Sequence, residues 1–137
     1  MKASEIIVNK LNFNGGEAYV YLLNGDKAHI QIVDDSYFIS NKLPHQKIDF
    51  SIFDLVVDFL KSEPHFRAIK GGCRNSKVGE DKCSRGTIMY VIAKKYYGKV
   101  DGESSFDPLF VIASILDWAN IARNKRGYME LIDASII

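Results

Sequence analysis

The chain has 137 residues, of which 47% are hydrophobic and 26% charged, and its formal net charge is +1. This composition is typical of one folded domain with a substantial core, and it excludes a disordered or fibrous protein. Residues 1–12 lack the apolar stretch of a signal peptide, and no run of apolar residues is long enough to span a membrane. We therefore expect a cytoplasmic protein without membrane contact, in which the two cysteines are reduced thiols that form a disulfide only occasionally, on oxidation.

The charges are unevenly distributed along the chain. Residues 66–99 carry nine Lys or Arg against two Asp or Glu, a net charge of +7, whereas residues 1–65 and 100–137 each carry −3. A basic segment of this kind indicates a polyanionic partner, although its charges would also be satisfied by pairing with the acidic segments.

The first part of the chain, residues 1–45, is predicted to be rich in β-structure. A short helix over residues 3–11, with Ser4 as its cap, precedes strands 17–23 and 26–33. Asn24 and Gly25 between the strands indicate a two-residue hairpin, which pairs Tyr21 with Ala28 and Tyr19 with Ile30. That register places one set of apolar side chains on a common face: Tyr19, Tyr21, Leu23, Ala28, Ile30 and Ile32. A third strand is predicted over residues 36–40.

The second part, residues 46–137, is predicted to be mainly helical. Residues 41–47 join the two parts, and a helix over residues 51–62 presents Phe53, Val56, Val57 and Leu60 inward. Asp49 or Ser51 is its candidate cap, with Ser51 and Asp54 spaced like a capping box, and Pro64 closes it.

A glycine-rich loop, residues 69–86, follows that helix and is predicted to be irregular. Its glycines Gly71, Gly72 and Gly79 expose backbone N–H groups, which together with nearby cations are suited to phosphate. The loop's candidate phosphate-binding cations are Arg74, Lys77, Lys82 and Arg85. The alternative interpretation is a mobile surface loop without a ligand.

The rest of the chain is predicted to form two helices and a hairpin. The first helix covers residues 87–97 and ends at Gly98, and a polar connector, residues 99–105, follows it. The next helix is apolar on nearly every side; Asp107 caps it, Pro108 is its first residue and Asn120 ends it. A hairpin then joins strands 121–123 and 128–132 through a turn with Gly127 at the positive-φ position. The hairpin carries three exposed cations: Arg123, Lys125 and Arg126.

The order helix, loop, helix, connector, helix, hairpin over residues 50–132 resembles the winged helix-turn-helix group of DNA-binding domains. TIMYVIAKKYYG stands where such domains carry their second helix, and ILDWANIARNKRGYMELI where the third helix runs into the wing. The resemblance implies an α+β fold: a winged-helix-like three-helix unit with a C-terminal β-hairpin, to which this chain adds an N-terminal helix and hairpin within a single domain, residues 1–137. Because the third helix is nearly all apolar, contacts are expected from the wing and the glycine-rich loop.

Three catalytic or metal-binding patterns are weaker. Cys73 and Cys83 with His45 and His65 have none of the short spacings of a zinc site. Glu80-Asp81-Lys82 matches half of a metal-dependent nuclease pattern, but its flanks are not strand-like. No serine or cysteine lies in a recognisable catalytic signature. We therefore expect no cofactor and no enzymatic activity.

The sequence thus predicts a non-enzymatic protein that binds nucleic acid, most readily DNA. The predicted contacts are the seven loop and hairpin cations Arg74, Lys77, Lys82, Arg85, Arg123, Lys125 and Arg126. The alternative is a protein-interaction module (a regulator, an inhibitor or a recognition domain) that binds another protein or a second copy of itself without touching nucleic acid.

Overall fold

A computed structural model describes residues 1–133 of the chain. Within them the structure is α+β, with four α-helices and two antiparallel sheets. No helix in this range is long and apolar enough to cross a membrane. The prediction of an α+β fold is confirmed, whereas the cytoplasmic location stays a prediction.

The N-terminal part consists of one helix and a four-stranded meander. Helix α1 spans Ala3–Phe13 and packs on the sheet through Ile7 and Leu11. The strands follow one another in both sequence and space: β1 (Glu17–Tyr21), β2 (Lys27–Val33), β3 (Tyr37–Ser40) and β4 (Ile48–Asp49).

The predicted register of the first hairpin is wrong by one residue. Tyr19 lies opposite His29, and Val20 lies opposite Ala28. The cause is a three-residue loop, because the N–H of Leu22 donates to the carbonyl of Asp26 and Gly25 adopts a positive φ of 91°. A slip of one residue reverses the two faces of a strand, so Val20 is buried and Tyr19 and Tyr21 face solvent.

The second part contains three helices and a three-stranded sheet. Helix α2 (Ser51–Ser62) has the predicted bounds and buries its predicted apolar stripe. Strand β5 (Arg67–Ile69) follows it, and α3 (Ile88–Val91) and α4 (Leu109–Trp118) precede the hairpin strands β6 (Ala122–Asn124) and β7 (Tyr128–Leu131). The sheet order is β5-β7-β6, so the residues after α2 pair with the last strand of the hairpin.

Of the predicted helix caps, Ser4 and the Ser51–Asp54 pair are wrong, whereas the alternative, Asp49, accepts the Ser51 N–H at 2.8 Å at the start of α2. Neither Ser4 nor the Ser51–Asp54 pair caps its own helix; instead, the Asp54 carboxylate accepts hydrogen bonds from the Ser4 backbone N–H at 2.9 Å and its hydroxyl at 2.7 Å. This long-range pair fastens α1 to α2. A pattern of spacing within one helix gave no sign of a partner fifty residues away.

The helix predicted over residues 87–97 changes type halfway. It is α-helical over Ile88–Val91, with the Thr87 side chain as its cap, and continues as a π-helical turn over Ile92–Tyr96. The Tyr96 hydroxyl accepts a hydrogen bond from the Asp49 backbone N–H at 2.8 Å, which ties this turn to β4. Gly98, with φ 66°, ends the helix as predicted.

One continuous core links the two parts. Three phenylalanine rings pack together with centroids 5.4 to 6.2 Å apart: Phe38 of β3, Phe53 of α2 and Phe50, which immediately precedes α2. Helix α4 is buried along most of its length and contacts both β1 and β6. Its outward side chains are few, with Phe110, Asp117 and Asn120 exposed.

Candidate functional site

The glycine-rich loop (residues 69–86) is packed, and the expectation of reduced thiols is wrong. Cys73 and Cys83 are joined by a disulfide, with Cα atoms 5.1 Å apart, and both are buried together with Val78. The ten-residue spacing showed no such proximity, because it depends on the loop folding back on itself. A short 3-10 helix, Asp81–Cys83, also lies within the loop, so Asp81 and Lys82 sit in an exposed turn and not on a core strand.

The loop is fixed to α4 through Asp107. One carboxylate oxygen accepts the N–H of Leu109 at 3.1 Å, in the predicted capping role, although the helix begins one residue later than expected. The other oxygen accepts the N–H of Cys73 at 2.9 Å. Both oxygens therefore accept hydrogen bonds from backbone donors, which hold the carboxylate in place between the loop and α4.

Gly71 is required where the loop passes closest to α3. Its φ is 67°, and a Cβ there would come within 2.6 Å of both the Lys82 carbonyl and the Thr87 side chain. A side chain at this position would therefore force the backbone of the loop apart.

The loop and the hairpin tip lie side by side. The N–H of Lys70 donates to the carbonyl of Gly127 at 2.9 Å, and the N–H of Gly72 donates to the carbonyl of Lys82 at 3.0 Å. Lys70, Gly71, Lys82 and Gly127 line one open cavity of about 540 Å³, which we call the tip cavity. Two segments separated by more than forty residues thus meet at one surface.

The structure does not gather the seven predicted cations into one site. Lys82 lines the tip cavity, and Lys125 and Arg126 are exposed in the adjoining turn, whereas Arg74 lines a second cleft beside it. The other three contact polar neighbours: Lys77 Nζ lies 2.7 Å from Ser104 Oγ, Arg85 pairs with Asp101 at 3.0 Å, and Arg123 approaches Glu130 at 3.9 Å.

Asp101 is a partner that sequence reasoning missed. It accepts hydrogen bonds from Arg85, from the Tyr90 hydroxyl at 2.9 Å and from Lys94 at 3.1 Å. These donors, Arg85 foremost, lower the pKa of Asp101 to about 2. One exposed carboxylate therefore neutralises part of the basic segment on the side of the connector.

Lys70 is a second residue that the sequence did not single out. It is half-buried and lines both the tip cavity and the second cleft. Burial lowers the pKa of Lys70 to about 8, against an opposing attraction from Asp117. Because burial leaves its ammonium poorly solvated at the edge of two cavities, an anion that paired with Lys70 would be stabilised there.

The second cleft has a volume of about 580 Å³ and combines charge with aromatic surface. Lys42, Lys70 and Arg74 stand around it, and Phe106 and Phe110 provide apolar walls. We call it the phenylalanine cleft. Lys42 comes from the loop after β3, so the N-terminal part contributes to a cleft whose lining residues are far apart in the sequence.

A separate apolar surface lies on the outer face of the first sheet. Tyr19 is 61% exposed and Tyr21 67%, and Leu23 and Ile39 are also exposed. The Tyr19 ring stacks on His29 with centroids 4.7 Å apart, and His29 Nε2 lies 3.1 Å from Glu17. The one-residue register error concealed this surface.

Comparison with known proteins assigns the chain to no family. No family model, curated protein or solved structure matches it. The fold and the site define its class as an α+β protein with a disulfide-closed basic loop set against a basic hairpin, and a functional assignment has to come from these residues themselves.

Proposed function

We propose that this protein binds nucleic acid, without catalysing a reaction, through the surface shared by the hairpin tip and the glycine-rich loop. The single observation that carries the proposal is the tip cavity, where Lys82 and the loop glycines meet Gly127 of the hairpin. Lys125 and Arg126 are exposed beside it, and the surrounding segment has a net charge of +7 over residues 66–99.

A winged-helix-like arrangement is part of this proposal. The order α2, α3, α4 and hairpin is the order that the resemblance implies. The hairpin tip would be the wing, and DNA is the polyanion that such domains bind. The order of these elements along the chain supports the proposal. Whether the protein prefers duplex or single-stranded DNA is decided by the binding experiment below.

The proposed mode of binding is contact with phosphates and not the reading of bases. Helix α4 is covered by β1 and β6 and leaves few polar groups outside, so it has little with which to read base edges. The N–H groups of Gly72 and Gly79, which the sequence offered as phosphate donors, are taken up by the carbonyls of Lys82 and Cys83 at 3.0 and 2.9 Å, so the phosphate contacts are assigned to lysine and arginine side chains. We therefore expect binding that tolerates changes of base sequence.

Fluorescence anisotropy with labelled oligonucleotides tests the proposal. With about four phosphate contacts, the logarithm of the affinity for duplex DNA should fall with the logarithm of salt concentration with a slope of about −3.6. The double variant Lys125→Ala/Arg126→Ala should reduce the slope by about 2, since each lost phosphate contact removes about one.

The matched control is Lys27→Ala, which removes an exposed cation from the first sheet and should leave the slope unchanged. If neither duplex nor single-stranded DNA binds at about 50 mM salt, where the counterion contribution is strong, the proposal is overturned.

The exposed aromatic face favours a second candidate function, protein interaction. Contiguous exposed apolar side chains mark surfaces that bind other proteins, and here Tyr19, Tyr21, Leu23 and Ile39 lie on the outer face of β1 to β3 and in the hairpin loop. Sedimentation of the wild type across a range of concentrations would show whether a second copy docks there. Tyr21→Ser should abolish such self-association, whereas Phe13→Ser, at an exposed position on α1, should not.

A further inference from the structure

Two cations of the phenylalanine cleft, Lys70 and Arg74, form no salt bridge within the described residues. The third cation, Lys42, lies 3.7 Å from Asp26. Asp107 is the one carboxylate among the residues that line the cleft, and it stands against the three cations Lys42, Lys70 and Arg74. The cleft therefore has a net positive charge that an anionic group would balance.

The walls of the same cleft are aromatic and open. Phe110 is 48% exposed and Phe106 37%, although Phe110 belongs to a helix that buries almost all its other apolar side chains. Phe106 is held in place by an edge contact with the Tyr97 ring, with centroids 6.3 Å apart. A bare inorganic anion would leave these rings in water, so the complementary ligand has a flat apolar part next to its charge.

The volume limits the size of that ligand. At about 580 Å³ the cleft lies in the range of sites for small organic molecules, about 300–1,000 Å³. A nucleotide combines the required features, since its phosphate is anionic and its base is a flat ring that stacks on aromatic side chains.

The cleft is also continuous with the proposed binding surface. Lys70 and Gly71 line both the phenylalanine cleft and the tip cavity. A nucleic-acid strand whose phosphates are bound at the hairpin tip can therefore continue past Lys70 into the cleft. A base that is still paired in a duplex would be unable to enter the cleft.

We propose that the phenylalanine cleft binds one unpaired nucleotide, with its phosphate at Lys70 and Arg74 and its base against Phe106 and Phe110. This inference rests on the proposed function and adds to it the kind of nucleic acid recognised, namely a strand with an unpaired nucleotide next to the segment that contacts the hairpin.

Anisotropy with two labelled probes tests the inference. One probe is a blunt duplex, and the other is the same duplex with a single-stranded tail of about five nucleotides. The tailed probe should bind about tenfold more tightly than the blunt one, which is the effect expected of one stacked base. Phe110→Ala should remove this advantage and leave the affinity for the blunt duplex unchanged.

The second variant and the control guard against a general loss of structure. Phe106→Ala should act like Phe110→Ala, whereas Phe13→Ala removes an exposed phenylalanine from α1 and should retain the full advantage of the tail. Circular dichroism melting of each variant shows that it is folded.

The outcomes separate the two proposals. If neither probe binds, the proposed function fails and this inference with it. If both probes bind equally, or if the advantage of the tail survives in both phenylalanine variants, the inference is overturned and the proposed function stands. Addition of adenosine monophosphate distinguishes the source of the nucleotide: loss of the tail's advantage shows that the cleft takes a free nucleotide, and its retention shows that it takes a nucleotide within a strand.

Discussion

At the scale of single residues, chemistry depends on neighbours that the chain brings from elsewhere. Lys70 is one of nine cations in its segment by sequence, but only Lys70 lines both cavities and is half-buried between them. Asp101 stands in a polar connector of the sequence, and in the folded protein it accepts hydrogen bonds from three side chains. Asn120, Gly98 and Gly127, by contrast, adopt the predicted left-handed backbone, because that preference is a property of the residue itself.

The lowered pKa of Lys70 predicts a pH dependence of stability. The folded state binds the proton of Lys70 less tightly than the unfolded chain does. Protonation of Lys70 therefore lowers the stability of the folded protein, with its full effect below about pH 8. The free energy of unfolding should therefore rise between about pH 8 and 10.5 in the wild type relative to Lys70→Met, by about 1 kcal/mol, since solvent screens a half-exposed group.

Urea unfolding of both proteins at several pH values measures this difference. Only Lys70 is replaced, so that only its titration is removed. The other charged groups near it stay as they are, namely Asp117 and the residues that line the two cavities: Lys42, Arg74, Asp81, Lys82 and Asp107. A constant difference between the two proteins across that range would contradict the assigned pKa.

At the scale of elements, patterns within one helix predicted well and pairing between strands did not. The stripe of Phe53, Val56, Val57 and Leu60 fixed α2, because a helical period is contained in the helix. The register of β1 with β2 depended on whether the turn has two residues or three. Asn24-Gly25 is compatible with both, so the predicted pairing placed Tyr19 and Tyr21 on the same face as Ala28 and Ile30, which is wrong. The π-helical turn after α3 was also missed, since no residue type marks it.

The observed register predicts opposite effects for adjacent residues of β1. Val20 is 1% exposed, so Val20→Ala should lower the free energy of unfolding by about 2 kcal/mol through loss of packing. Tyr21 is largely exposed, and Tyr21→Ala should change it by less than about 0.5 kcal/mol. Chemical denaturation measures both, and the reverse order of effects would restore the register expected from the sequence.

At the scale of the whole molecule, the sequence indicated two parts in series, and the structure shows how they share a core. Helix α4 contacts β1, and the three phenylalanines Phe38, Phe50 and Phe53 join β3 to α2. The phenylalanine cleft takes Lys42 from one part and Arg74 from the other. Such convergence is a property of the folded chain, and spacing along the sequence contains no information about it.

This shared core predicts that the chain unfolds in one step. The single tryptophan, Trp118, lies at the end of α4 and reports on tertiary packing, whereas far-ultraviolet circular dichroism reports on helices and strands throughout. The two signals should give coincident thermal transitions. Two transitions, with the tryptophan signal changing in only one, would show that the parts unfold separately.

The bond between Cys73 and Cys83 has a practical consequence for any laboratory that handles this protein. The Cys73 backbone N–H donates to Asp107, which lines the phenylalanine cleft, and Lys82, the residue before Cys83, lines the tip cavity. Both cysteines are buried, so a thiol reagent reaches the bond only when the loop opens. Reduction would remove the covalent link between the segment beside Asp107 and the segment beside Lys82, so the proposed oligonucleotide binding should be measured both with and without dithiothreitol.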